Sequence, residues 1–153
     1  MQQGLKQARG SAKAVGMAVR YQIYLDLGLV HVRYSGTAIL DESFEAVGRY
    51  LQDPGYRPGQ KQFVDLSDVT DYEKDYAKLL MLQAKKLEAF LRGNESLLVY
   101  YAPTALTQEL SNLIARSWED IGAVVPVVVT DREAAMSVLG LAPDVFDGLL
   151  AAS

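Results

Sequence analysis

The chain has no cysteine. Disulfides, thiol nucleophiles, cysteine-ligated zinc and iron–sulfur clusters are therefore excluded. It has one histidine, His31, so a two-histidine zinc site cannot be assembled within one chain. No G-x-S-x-G elbow marks a serine nucleophile. Neither G-x-x-x-x-G-K-S/T nor G-x-G-x-x-G offers a phosphate cradle. No apolar run approaches the roughly 18 residues that a membrane helix needs, so no membrane span is expected. These gaps leave few routes to an active site. The expectation is a non-enzyme with no cofactor.

What is present is ordinary for a globular protein. Of 153 residues, 50% are apolar and 22% charged. A chain near 150 residues buries about 68–70% of its unfolded surface, enough for one self-sufficient core. The net charge of −4 is unevenly spread. Residues 1–18 form a basic leader, Gln-, Ala- and Gly-rich, with Lys6, Arg9 and Lys13 and no acid. Poor order or a short helix is expected there. Residues 19–153 are expected to form a single α/β domain. Its acidic balance argues against binding along a phosphate backbone, so no nucleic acid partner is expected. A cysteine-free chain fits a cytoplasmic home, which needs no disulfide staples.

Periodicity supplies the elements. Tyr21 to Leu27 and Leu29 to Tyr34 alternate apolar and polar residues about Gly28, predicting an antiparallel hairpin that ends at Ser35-Gly36-Thr37. Asp41 or Ser43 can cap a helix with Phe44, Val47 and Leu51 inward, stopped by Asp53-Pro54-Gly55. A strand over Gln62 to Leu66 precedes a helix from about Lys74 to Leu91. That helix carries Tyr76, Leu80, Ala84, Leu87 and Leu91 on one apolar face, and Gly93-Asn94 closes it. Ser96 to Tyr101 and Val124 to Val129 are continuous apolar strands, as in a buried parallel sheet. Between them Pro103-Thr104 opens a helix bearing Leu106, Leu110, Leu113, Ile114, Trp118 and Ile121, with Gly122 as its stop. Asp131 caps a further helix with Ala134, Ala135, Val138 and Leu139 inward and Gly140 at its end. Pro143 to Leu150 adds a short one. The predicted fold is a single mixed sheet: an N-terminal hairpin, then parallel β-α-β crossovers with packed helices.

The segment Gln62 to Thr70, QFVDLSDVT, is the most informative. It reads as a buried strand running into a polar turn that opens a helix, a layout in which α/β domains place contacts. With Val30 to Gly36 (VHVRYSG), Leu98 to Thr104 (LVYYAPT) and Val127 to Leu139 (VVVTDREAAMSVL), it resembles the STAS superfamily, the sulfate-transporter and anti-sigma-factor-antagonist fold. The likeness is to bacterial STAS-like proteins, distant relatives of the CRAL-TRIO lipid-exchange domains. It spans most of Tyr21 to Gly140. The resemblance implies a regulatory switch, a serine or threonine phosphorylated at the start of the helix beyond the central strand. Here that position falls near Lys74 or Asp75, and neither accepts phosphate from a kinase. An interface built on this helix remains implied.

Candidate partner or ligand contacts are therefore Ser67, Asp68, Asp71, Tyr72, Lys74, Asp75 and Tyr76. The carboxylates Asp65, Asp68, Asp71, Glu73 and Asp75 allow a magnesium site, but turn and N-cap aspartates favouring a helix dipole are the preferred reading. A receiver-type phosphoacceptor role for Asp65 is rejected, because the first two strands form a hairpin and the last ends Thr130-Asp131. His31, on an alternating strand, reads as a packed or solvated residue. Tyr72, Tyr76 and Tyr100-Tyr101 either line a pocket at the sheet edge or belong to core margin and surface. The leading expectation is an interaction module with a protein partner, and possible self-association as a homodimer. The alternative is a small-molecule or lipid-binding domain, which requires an enclosed apolar cavity.

Overall fold

A computed structural model describes residues 18–90, 96–119 and 124–151. The basic leader (Ala18 apart), the Gly93-Asn94 stop, Leu91, Ile121 and Gly122 lie outside the described residues. The strands are β1 (Val19–Tyr24), β2 (Leu29–Ala38), β3 (Lys61–Tyr72), β4 (Ser96–Tyr101) and β5 (Val124–Val129). The helices are α1 (Leu40–Gln52), α2 (Tyr76–Phe90), α3 (Ala105–Ser117), α4 (Arg132–Leu139) and α5 (Pro143–Ala151). The five strands form one sheet in sequential order. β1 runs antiparallel to β2, from Val19↔Tyr34 to Tyr24↔Leu29. All later pairs are parallel. This is the mixed sheet expected from the sequence, with β3 at its centre.

The order of the strands positions the helices. Crossovers of one hand that all step in one direction leave their helices on one face. Val30, Val64, Leu66, Leu98 and Tyr100 pack on that face with Tyr50 of α1 and Leu110 of α3. α2 packs on its neighbours, with Leu79 and Leu82 meeting Val47 of α1. The opposite face (Leu29, Phe63, Val99 and Val129) is covered by Ala135 and Leu139 of α4 and by Phe146 and Leu149 of α5. Burial on both faces is why β3 and β4 read as continuous apolar runs.

Several boundaries and faces differ from expectation. β1 stops at Tyr24, and Leu25–Leu27 form a 3₁₀ turn closed by Gly28 in the left-handed region (φ 59°). β2 and β3 both run on past their expected ends. The polar turn expected after Leu66 is a strand, paired as Ser35↔Asp68, Gly36↔Val69, Thr37↔Asp71 and Ala38↔Tyr72. Irregularities between Arg33 and Ser35 and between Gly36 and Thr37 bend this extension. Gly36, at φ 68°, supplies the backbone freedom for the bulge.

α2 starts at Tyr76 rather than Lys74. Its expected inward face is turned out: Tyr76 and Leu80 are 40% and 44% exposed, while Leu79, Leu82 and Gln83 are buried. Two apolar stripes compete on this helix, and contact with α1 chooses the second. Neither Asp41 nor Ser43 caps α1, whose N-cap is Ile39 with no side-chain bond of its own. Val138 is exposed rather than inward. Thr104 and Asp131 do cap α3 and α4, accepting from Thr107 N–H and Ala134 N–H respectively.

Candidate functional site

The extended β3 divides the candidate contacts by strand alternation. Ser67 turns inward, and its N–H and Oγ–H both donate to Asp65 Oδ1 at 2.9 and 2.6 Å. Asp68 faces solvent. Asp71 meets Lys74 Nζ at 3.6 Å, and that ammonium lies 4.6 Å from the centre of the Tyr72 ring. Tyr72 is on the strand, not on the helix opening, and it is buried. Its hydroxyl donates to Glu109 Oε2 of α3. That bond, with burial second, pushes its pKa up to about 12. Asp75 Oδ1 accepts from Lys78 N–H at 3.0 Å and holds the start of α2. Tyr76 opens that helix in solvent. The structure thus joins Asp71, Tyr72, Lys74, Asp75 and Tyr76 at the β3–α2 junction, and Ser67 belongs to a different cluster.

The carboxylates do not converge. Glu73 reaches across to α1, where its Oε1 accepts from Leu40 N–H at 2.8 Å, and its Oε2 lies 3.5 Å from Lys78 Nζ. Asp65 is buried on the α4–α5 face. Among the described residues no group of three or more His, Cys, Asp or Glu is placed to hold a metal ion.

Asp65 instead anchors a buried polar cluster. Arg33 Nη2 lies 3.4 Å from Asp65 Oδ2 and donates to the Leu150 carbonyl of α5 at 2.8 Å. His31 Nε2 lies 4.0 Å from Asp65 Oδ2 and makes no hydrogen bond. The imidazole stacks on Phe63, with centroids 5.1 Å apart. Burial pulls its pKa down to about 4, against the attraction of Asp65. His31 is therefore neutral at neutral pH, and of the two readings the strand pattern allowed, packed or solvated, the structure shows the packed one.

Opposite this cluster, the α1–α3 face of the sheet holds a partly open cavity of about 100 Å³, not the enclosed one that lipid binding was expected to require. Val64, Leu66, Leu98 and Tyr100 form its floor, and α1, α2 and α3 its walls. Its polar lining includes Glu73, Gln83 and Lys86. Tyr72 borders it and Tyr76 does not, so the tyrosine pair expected to act together is split. Sequence reasoning missed Gln83 and Lys86. The available signal was their position at helical spacing after Leu79 and Leu82, polar residues on the stripe that packs inward.

No family model matches the sequence, and no curated protein matches it. Among solved structures, the chain is similar to the anti-sigma factor antagonist SpoIIAA in its unphosphorylated form. The match has 9% identity and a TM-score of 0.48, and it covers 81% of this chain and 100% of that one. At that identity and score no fold family, activity or partner is carried over from it. Among the described residues no single helix is long and apolar enough to cross a membrane. A hairpin continued by parallel crossovers in one sheet makes this a mixed α/β fold.

Proposed function

We propose that the protein is a non-enzymatic STAS-like interaction module that docks a protein partner, including a second copy of itself, through the β3–α2 junction. One observation carries this reading. Tyr76, Leu80 and Met81 lie 40%, 44% and 66% exposed on α2, although the helix already buries a separate stripe. Exposed apolar residues grouped on one element and fringed by charge favour a contact surface. Asp68, Asp71, Lys74 and Asp75 supply that fringe. With Lys74 and Asp75 where the resembled family carries its phosphorylated serine, docking here is not switched by phosphate at that position. The single histidine is buried, and its Nε2 makes no hydrogen bond, to the Ser67 hydroxyl or any other group, which supports a packing role over catalysis. A chain without cysteine suits the cytoplasm.

The test is a triple variant, Tyr76→Ser with Leu80→Ser and Met81→Ser, compared with wild type for partner retention and for mass by light scattering. The variant should lose the partner or the dimer and keep its circular dichroism spectrum. A strictly monomeric wild type with no partner, or equal retention by the variant, contradicts the reading.

A second reading, small-ligand binding, is favoured by the cavity. An apolar cavity of about 150 Å³ admits one benzene. The 100 Å³ here favours a small body over a long-chain lipid.

A further inference from the structure

The cavity is not uniformly apolar. Lys86 lies on the inward stripe of α2, half-buried, and lines the cavity. Among the described residues no carboxylate lies within ion-pair distance of it. The acids that share the cavity are Glu73 and Asp75. Glu73 is engaged with Leu40 N–H and Lys78. Asp75 holds the opposite end of α2, eleven residues or about 16 Å away along the axis. Burial draws the Lys86 pKa down to about 8. It therefore keeps its proton at neutral pH and lacks a counter-charge. A desolvated cation without an anion is unfavourable until something supplies one.

One turn earlier, Gln83 leaves a second polar demand. Its Nε2 donates to Ser117 Oγ at 2.9 Å, and that hydroxyl donates its own proton to the Ile114 carbonyl. The amide orientation is fixed by this chain, because Ser117 can only accept. Gln83 Oε1 then faces no donor, although the residue is almost fully buried. Residues three apart on a helix are neighbours. Lys86 and Gln83 together ask for an anion and a hydrogen-bond donor beside it.

We propose that the cavity binds a short-chain hydroxy-carboxylic acid, its carboxylate at Lys86, its hydroxyl donating to Gln83 Oε1 and its chain on Val64 and Leu66. The inference rests on the second reading above and names its ligand class. Scaled from the roughly 150 Å³ that holds a six-carbon ring, the cavity takes about four carbons, the chain of a five-carbon acid whose carboxylate stays at the mouth. The half-buried lysine sets the acid head at the cavity mouth, where it need not be fully desolvated.

The test is an NMR titration of the whole protein with 3-hydroxypentanoate, pentanoate and 1,3-pentanediol, on wild type and Lys86→Met. 3-Hydroxypentanoate should bind wild type at least roughly tenfold tighter than the diol, which lacks the charge, as loss of a charged hydrogen bond implies. It should also bind several-fold tighter than pentanoate, which lacks the donor. Lys86→Met should remove the preference for the acid and bind the diol as wild type does, which also shows that the variant keeps its cavity. If the diol or pentanoate matches 3-hydroxypentanoate, or if the variant keeps the preference, the inference fails while the ligand-binding reading stands. If none of the three shifts the Lys86 and Gln83 amides, both fail.

Discussion

Asp65→Ala should be severe, and its size follows from the geometry. The carboxylate is 1% exposed and holds Arg33 Nη2 at 3.4 Å, with two bonds from Ser67 on its other oxygen. Removing one member of a buried ion pair costs about 3–5 kcal/mol, because the remaining charge loses its counter-charge in a poorly solvated place. Arg33 keeps the Leu150 carbonyl at 2.8 Å, and its side chain is 14% exposed. The low end, about 3 kcal/mol, is therefore expected. For a domain of this size that lowers Tm by about 6–12 °C. Asp65→Asn keeps an acceptor for Ser67 but also removes the charge that faces Arg33, so it should lose nearly as much as Asp65→Ala. Pairing Arg33→Met with Asp65→Leu removes both charges and should recover most of the loss. Urea unfolding compares the three variants with wild type, followed by Trp118, the single tryptophan, which is buried and donates to the Tyr100 hydroxyl at 3.2 Å. The reasoning is refuted if Asp65→Ala stays within about 0.5 kcal/mol of wild type, or if the double variant is no more stable than Asp65→Ala within that margin.

The depressed pKa of His31, near 4, predicts a pH window. The unfolded chain takes up a proton near pH 6.5 and the folded one does not until about 4, so stability is full above 6.5 and falls as pH drops towards 4. The loss attributable to His31 is at most about 3 kcal/mol. His31→Phe should abolish it, read as the difference between the two unfolding curves from pH 7 to 4; parallel curves would refute it. Glu73→Ala should destabilise by about 1 kcal/mol through loss of the acceptor for Leu40 N–H, with Glu73→Gln close to wild type. Urea midpoints decide it, and equal losses in the two variants would show that the cap is not the cause.

What the sequence made legible is what local chemistry decides. Thr104 and Asp131 cap the helices that immediately follow them, so their role is written within four residues. The cap on α1 comes from Glu73, 33 residues beyond Leu40, and local reading cannot find it. Ser67 to Tyr72 resembles a turn in composition. Its pattern, buried Val69 between exposed Asp68 and Thr70 and then buried Tyr72 after exposed Asp71, appears only once β2 supplies a bulged ladder. On α2 both stripes obey the helical period, and only the packing of α1 selects between them. The cavity is a consequence of side-chain volumes that do not fill the space under three helices, which no single segment encodes. Lys86 and Gln83 were visible only as polar residues on the helix period of Leu79 and Leu82.

The docking surface is tested most directly by amide hydrogen exchange on the free protein and on its complex with the captured partner, or on its dimer. The account predicts new protection confined to Asp68 through Met81 and the α2 amides that follow. Protection concentrated instead on β5 and α4, with the β3–α2 junction unchanged, would contradict it.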